Sequence, residues 1–125
     1  MQINEIIFYR TDSKECPMLD FLNGCDEKMR AKVARTVDAL REFGTDLREP
    51  YSKPLTDGIF ELRMKVGSNI SRVLYFFVVD NKIVLTHGFI KKTQKTPPAE
   101  IDRAKRYRAD YIRQQTEKDK NGKGN

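Results

Sequence analysis

The stretch Ile59–Ile90, IFELRMKVGSNISRVLYFFVVDNKIVLTHGFI, decides the fold of this 125-residue chain. Apolar and polar residues alternate over its first eight positions, as they do in a strand that buries one face. Residues 67–69 (GSN) and 80–82 (DNK) mark two tight turns. Between them, residues 71–79 (SRVLYFFVV) are almost continuously apolar, which is typical of a central strand covered on both faces. The stretch therefore predicts a three-stranded antiparallel meander.

The residues before the meander predict one strand and two helices. Ile3–Tyr9 is rich in strand-forming residues and is expected to add to the edge of the sheet. Pro17 suits the first turn of a short helix that Gly24 ends. Asp26 can cap a longer helix that Gly44 stops, and the apolar residues of this helix recur on one face.

The remaining segments complete an α+β domain. Thr45–Gly58 predicts a long loop, and Thr96 with Pro97 predicts the start of a C-terminal helix. The polar residues 114–125 predict a disordered tail after a domain spanning 1–113. The predicted fold is two N-terminal helices packed on one face of a twisted antiparallel sheet, plus a C-terminal helix. The other sheet face is expected to be partly open.

Composition favours an anionic partner. The chain has 24 Lys and Arg against 18 Asp and Glu, for a net charge of +6, which suits nucleic acid, an acidic protein or a membrane surface. No apolar run is long enough for a membrane helix, and no secretory signal opens the chain, so a cytoplasmic location is expected. Cys16 and Cys25 then predict free thiols. With His87 as its single histidine, the sequence predicts neither a metal site nor a cofactor.

Arg72 is the only charged residue in the apolar run of the central strand. Burying an arginine without a partner is costly, so its presence there needs an explanation. One interpretation is an internal ion pair with Glu61 on the neighbouring strand. The other is that Arg72 faces a concave surface and binds phosphate. Arg63 lies across the hairpin from Arg72, and two such arginines can form a fork for phosphate oxygens.

Lysines follow the third strand in a short polar run. Lys91, Lys92 and Lys95 would form a basic rim beside Arg63 and Arg72, and Lys65 is expected to point to the same open face. Together these residues predict a phosphate-binding surface, although each one alone would be interpreted as a solvated charge.

His87 and Tyr75 are two further candidates with an ordinary structural explanation. A lone histidine in an apolar strand is usually packed and hydrogen-bonded, but an imidazole facing the basic rim would suit acid–base chemistry. Tyr75 fits the core of the central strand. It reaches the face of Arg72 only if a bulge intervenes, because strand parity places these two residues on opposite sides.

Four short motifs, in this order and spacing, resemble a known family over Ile3–Tyr111. The chain resembles the RelE/HigB-type toxins of type II toxin–antitoxin systems, specifically their phage-derived Gp49-like branch. The motifs are Glu61-Leu62-Arg63, Arg72-x-x-Tyr75, His87-Gly88-Phe89-x-Lys91-Lys92 and Lys95-Thr96-Pro97.

The resemblance implies a fold, an activity and a partner. The fold would be RelE/ParE-like, and the activity that of an mRNA endonuclease working in the ribosomal A site without a metal or cofactor. Such an enzyme cuts RNA by attack of the 2′-hydroxyl on the adjacent phosphate and so inhibits translation. The partner would be a cognate antitoxin, commonly a helix-turn-helix protein, through which oligomers could form. No membrane partner is implied.

The resemblance and the residue types together give a hypothesis for the site. Arg63 and Arg72 would clamp the scissile phosphate, while Lys91, Lys92 or His87 would move protons. The RNA-binding residues would be Lys65, Tyr75 and Lys95. Two alternatives stay open: a ParE-like gyrase-inhibiting toxin without nuclease activity, and a phage-derived nucleic-acid-binding protein without catalysis.

Overall fold

The computed structural model describes residues 3–91 and 95–123, with side chains described as far as residue 120. Five strands and three α-helices follow one another, with a 3₁₀ turn at Gly44–Asp46 after the second helix. In chain order the elements are β1 (Glu5–Phe8), α1 (Pro17–Gly24), α2 (Glu27–Phe43), β2 (Ser52–Thr56), β3 (Ile59–Val66), β4 (Asn69–Val78), β5 (Lys82–Lys91) and α3 (Pro98–Lys123).

The N-terminal helices form where the sequence predicts them. Asp26 caps α2 by accepting a hydrogen bond of 2.8 Å from the backbone N–H of Met29. Gly44 ends the helix with a φ of 54°, a conformation that glycine adopts without strain. Both helices lie on the same sheet face, α1 against β5 and α2 against β3.

The sheet is mixed, so the predicted antiparallel sheet is wrong. The strand order is β1-β5-β4-β3-β2; β1 runs parallel to β5, and the other neighbours are antiparallel. Strand β1 does lie at the sheet edge, as predicted. Side-chain alternation predicts which sheet face each residue occupies, but it does not predict whether a strand runs parallel or antiparallel to its neighbour. A hairpin would have fixed the direction of β1, but helices and not a hairpin follow it in the chain.

Part of the predicted loop Thr45–Gly58 is a strand. Residues Ser52–Thr56 form β2, which pairs with β3 at the second sheet edge. Pro54 obscured this strand, because proline cannot donate a ladder hydrogen bond and is tolerated only where that donor is not needed, as at an edge. The register shifts between Pro54 and Thr56, which is a further irregularity that no periodicity would show.

Helices cover both faces of the sheet. The first core lies between the sheet and helices α1 and α2, and it includes Met18, Leu40, Leu62 and Leu85. The second core lies under α3, which partly covers the face expected to be open. Its buried residues are Tyr9, Ile59, Leu74, Phe76, Val84, Ala104 and Tyr111.

Helix α3 begins one residue later than predicted and continues to Lys123, through most of the stretch predicted as a disordered tail. Arg113 supports this extension by pairing with Glu117 one turn further on, at 2.9 Å. Tyr9, which directly follows β1, connects this edge of the sheet to α3: its hydroxyl donates a 2.6 Å hydrogen bond to Asp110.

Candidate functional site

The predicted basic residues of β3, β4 and β5 lie on one sheet face. Arg63 is directly opposite Arg72, and Lys65 pairs with Ile70, which in turn pairs with Lys91. Cross-strand partners project from the same face, and so do alternate residues along a strand. All four basic side chains therefore share the face of α3, at the end of the sheet where β3 turns into β4.

Arg72 forms the internal ion pair that the sequence left as one of two interpretations. Its Nε lies 3.4 Å from Oε1 of Glu61, and both side chains are fully buried. Its Nη1 donates to the backbone carbonyl of Lys95 at 3.2 Å. Burial lowers the pKa of Arg72, while the Glu61 carboxylate acts in the opposite direction. Arg72 thus holds the segment before α3 against the sheet, and its burial keeps it from binding an external phosphate.

Glu61 connects this buried pair to the surface. Its carboxylate accepts hydrogen bonds from Nε of Arg63 and from the hydroxyl of Thr96. Arg63 is therefore held by a fixed anion on one side, while 22% of its side chain remains exposed. Such a guanidinium is oriented before a ligand arrives, which reduces the entropy lost on binding.

Three further lysines stand exposed around Arg63. Lys65 and Lys91 belong to the same sheet face, and Lys95 lies in the segment that Arg72 holds. Lys92 lies outside the described residues, so its predicted role stays a prediction. We call the exposed set Arg63, Lys65, Lys91 and Lys95 the basic surface.

His87 shares the sheet face of the basic surface but is fully buried under α3. Its Nε2 lies 3.2 Å from Oε1 of Glu100, and its Nδ1 lies 3.0 Å from the hydroxyl of Thr86. Burial lowers the pKa of His87 to about 3, and the charges of Arg103 and Arg106 act in the same direction. His87 therefore connects β5 to α3 and drops out of the proposed proton-transfer set.

Tyr75 lies on the opposite sheet face, in the core under α1 and α2. Its ring stacks on Phe60 at 5.5 Å between centroids, and its hydroxyl bonds to that of Ser52. The strand pairing does shift next to Tyr75, where β5 gains the extra residue Thr86. This bulge leaves Tyr75 in the core, so Tyr75 also drops out of the proposed RNA-binding set.

Two surface depressions meet at Arg63, one on each side of it. The first, of about 300 Å³, is lined by Lys32, Pro50, Tyr51, Arg63, Lys65 and Ile70. The second, of about 250 Å³, is lined by Lys53, Pro54, Leu55, Thr56, Arg63, Lys95, Thr96 and Ile101. Sequence reasoning missed Lys32, Tyr51 and Lys53 as site residues. Only the pairing of β2 with β3 shows that Tyr51 and Lys53 lie beside Arg63.

The described ranges 3–91 and 95–123 hold no group of three or more His, Cys, Asp or Glu side chains placed to bind a metal ion. Within the same ranges, no helix is both long enough and apolar enough to span a bilayer. This sheet face carries exposed lysines around the oriented guanidinium of Arg63.

A comparison with known protein families identifies the family of this chain. Residues 20–109 match the family described as phage derived protein Gp49-like (DUF891), and the chain belongs to this family. It is a family of RelE/HigB-like, toxin-like proteins, so the resemblance seen in the sequence motifs is confirmed at the level of the family. A search among curated proteins found no match.

Proposed function

We propose that this protein is the toxin of a type II toxin–antitoxin module and cleaves mRNA on the ribosome as an mRNA interferase. The observation that carries the proposal is that Arg63, Lys65 and Lys91 share one sheet face, with Lys95 beside Arg63 in one depression. Cations from separate parts of the chain that lie on one surface suit a polyanionic ligand such as RNA. Membership of a toxin-like family favours a toxin that acts on such a ligand. The activity would be exerted in the cytoplasm, where mRNA is translated.

The proposed reaction uses the RNA's own nucleophile. The 2′-oxygen forms a bond to the adjacent phosphorus while the bond from phosphorus to the 5′-oxygen breaks, which leaves a 2′,3′-cyclic phosphate and a 5′-hydroxyl. One proton leaves the 2′-hydroxyl and one reaches the departing 5′-oxygen, so the step is balanced without an added reactant. The protein has to stabilise the extra negative charge on the phosphorane and move these two protons.

The observed contacts favour different roles for the residues in this reaction. Arg63 is partly exposed and is oriented by Glu61, which suits it to stabilise the phosphorane oxygens. We assign the proton transfers to Lys91 and, following the sequence prediction, to Lys92. Arg72 becomes a positioning residue, because it orders Glu61 and the backbone at Lys95 rather than contacting RNA.

Induced expression in bacteria tests the proposal directly. We expect growth arrest, loss of protein synthesis and mRNA fragments with 5′-hydroxyl ends that map inside translated codons. Lys91→Ala should abolish the fragments, whereas Lys118→Ala, which removes an exposed lysine on α3, should not. A DNA-damage response without mRNA cleavage would instead identify a gyrase inhibitor. Salt-sensitive RNA binding without cleavage on ribosomes would identify a non-catalytic binding protein.

We further propose a cognate antitoxin that docks at the other end of the sheet. Ile3, Phe43 and Val79 are exposed apolar residues beside the turn between β4 and β5. The depressions beside them are lined by four carboxylates and two cations, so their net charge is negative: Asp38, Glu42, Asp46 and Asp80 against Arg41, which pairs with Asp38, and Lys82. This acidic apolar patch suits a helix-turn-helix protein that offers a segment with both apolar and basic side chains. Along β4, the patch is about 20 Å from Arg72, so the basic surface would stay uncovered.

Co-purification with the product of the adjacent gene tests this partner. Phe43→Asp should release the antitoxin, and Lys91→Ala should not. Release by Lys91→Ala with retention by Phe43→Asp would show that the antitoxin covers the basic surface instead.

A further inference from the structure

We propose that the depression beside β2 and β3 is a nucleotide-binding groove that takes single-stranded RNA. In this groove Tyr51 stacks on a base, and Lys32, Arg63 and Lys65 hold the adjacent phosphates. The inference deepens the proposed function and rests on it for the identity of the polyanion. It adds a base-binding residue and a path for the RNA strand, which the sequence motifs do not supply.

Tyr51 presents an aromatic ring from a fixed backbone. The residue is 52% exposed, whereas the ring of Tyr75 is buried in the core. Its backbone carbonyl accepts a 2.9 Å hydrogen bond from the N–H of Arg63, and its own N–H donates to the carbonyl of Arg48 at 3.0 Å. An exposed ring on an anchored backbone loses little freedom when a base stacks on it. Stacking is also tolerant of sequence, because every base has a π-face.

The charged residues that line the depression beside Tyr51 are all cations, and one of them, Arg63, also pairs with Glu61 beneath it. Lys32 comes from α2, while Arg63 and Lys65 come from β3, so three cations on two elements meet at one ring. Within the described part of the chain, neither of the two depressions that meet at Arg63 has a carboxylate among its lining residues. Three other depressions on the molecule do include carboxylates, for example Glu42, Asp12 and Asp38. An anion is therefore favoured beside Tyr51.

Arg63 joins the groove to the rest of the basic surface. It lines the depression with Tyr51 on one side and the depression with Lys53 and Lys95 on the other. A strand that crosses both would place one phosphate at Arg63, with a base on Tyr51 to one side. Paired bases in a duplex are stacked on each other and cannot reach such a ring, so the groove selects single strands.

A single tryptophan provides the test, since the chain contains none. In the Tyr51→Trp variant, indole fluorescence reports on this ring alone. The probe is a 2′-O-methyl hexaribonucleotide, which 2′-hydroxyl attack cannot cleave. We expect strong quenching by this single strand and little by an abasic strand of equal length, by inorganic polyphosphate or by a 12-base-pair RNA duplex. Equal quenching by the abasic strand or polyphosphate would overturn base stacking.

The affinities of matched variants are measured by fluorescence anisotropy of a labelled oligonucleotide. Tyr51→Ala should weaken binding at least about tenfold, and Tyr51→Phe should preserve it, since the ring and not the hydroxyl stacks. Lys32→Ala and Lys65→Ala should each lower the slope of log K against log salt by about 1, whereas Lys118→Ala should leave it unchanged.

These outcomes separate the groove from the proposed activity. Unchanged RNA affinity in Tyr51→Ala, with mRNA cleavage intact in cells, would reject the groove and leave the proposed function standing. The opposite result is also possible: single strands quench the indole of the Tyr51→Trp variant, but the unmodified protein does not cut mRNA. That result would support the groove and reject the nuclease.

Discussion

The guanidinium of Arg72 lies 3.4 Å from the carboxylate of Glu61, and both side chains are completely buried. We expect Arg72→Met to lower the free energy of unfolding by about 3 kcal/mol or more, because it leaves a buried carboxylate without one of its cations. Urea denaturation measures the loss. Adding Glu61→Gln to Arg72→Met should recover part of the lost unfolding free energy, since the glutamine amide is neutral. A fully stable Arg72→Met protein would contradict the structural role assigned to this pair.

Lys91 is the test of the proposed chemistry. Because it is exposed, Lys91→Ala should change stability by no more than about 0.5 kcal/mol, yet reduce mRNA cleavage by about 10²-fold or more if the ammonium transfers a proton. The measurement is the rate of codon-specific cleavage on programmed ribosomes, with Lys118→Ala as the control. Normal cleavage by a folded Lys91→Ala protein would remove this residue from the mechanism.

His87 should make stability depend on acidity. The unfolded chain protonates this histidine near its ordinary pKa of 6.5, whereas the folded chain does so only near 3, chiefly because the ring is buried. Between these values the unfolded state binds more protons, so stability falls as the pH falls below about 6.5. Above that range His87 has no effect. The slope due to this one group is at most about 1.4 kcal/mol per pH unit.

The variant His87→Gln should therefore show a shallower decline of unfolding free energy between pH 6.5 and about pH 4 than the unmodified chain. Since His87 is the only histidine, its ring gives a single set of NMR signals that can be followed directly. A folded-state titration of those signals near the ordinary pKa of 6.5 would contradict this prediction.

Gly88 allows close contact between β5 and α1. A Cβ atom at this position would overlap the ring of Phe21, so Gly88→Ala must displace either the ring or the strand. We expect a loss of about 1–3 kcal/mol, typical of overpacking in a core. Thermal denaturation of Gly88→Ala, with and without Phe21→Leu, measures it. The double variant should be more stable than Gly88→Ala, and an additive loss would argue against the clash.

Tyr9 connects the region just after β1 to α3 through its hydrogen bond to Asp110 and its stacking on Tyr107, with ring centroids 4.7 Å apart. Tyr9→Phe keeps the stacking and removes the hydrogen bond, so it should cost about 1 kcal/mol at about pH 7. The same hydrogen bond is the main cause of the lowered pKa of Asp110. This stabilisation is therefore present above about pH 4 and disappears as the pH falls through the lowered pKa. Urea denaturation of both proteins, at neutral pH and at a series of lower pH values, checks that the difference in unfolding free energy shrinks as the pH falls.

The meander and the helices could be predicted from sequence because their signals are local. Alternation along β3, the apolar run of β4 and the capping residue Asp26 each specify structure within a few neighbours. The direction of β1 and the existence of β2 depend instead on pairing between distant segments, which local patterns do not encode. Pro54 within β2 and the helical connection after β1 both concealed that pairing.

The site was predictable in part for the same reason. Strand parity correctly placed Arg63 and Arg72 on one face and Tyr75 on the other. It could not show that α3 would bury His87, and it could not choose between an ion pair with Glu61 and phosphate binding for Arg72. Nor could it show that Arg63 would share Glu61 and stay partly exposed. Tyr51 carried no signal at all, because its position beside Arg63 follows from the strand pairing of a segment that looked like a loop.

The pairing of β1 with β5 has a consequence for how the chain is made. Glu5 and Lys82 are neighbours in the finished sheet, yet the ribosome synthesises β1 long before the last strand exists. The edge that receives β1 is thus the final one to be synthesised, and contacts between such distant segments form slowly. A nascent polypeptide therefore cannot complete its sheet, or place Lys91 on the basic surface, until β5 has been synthesised.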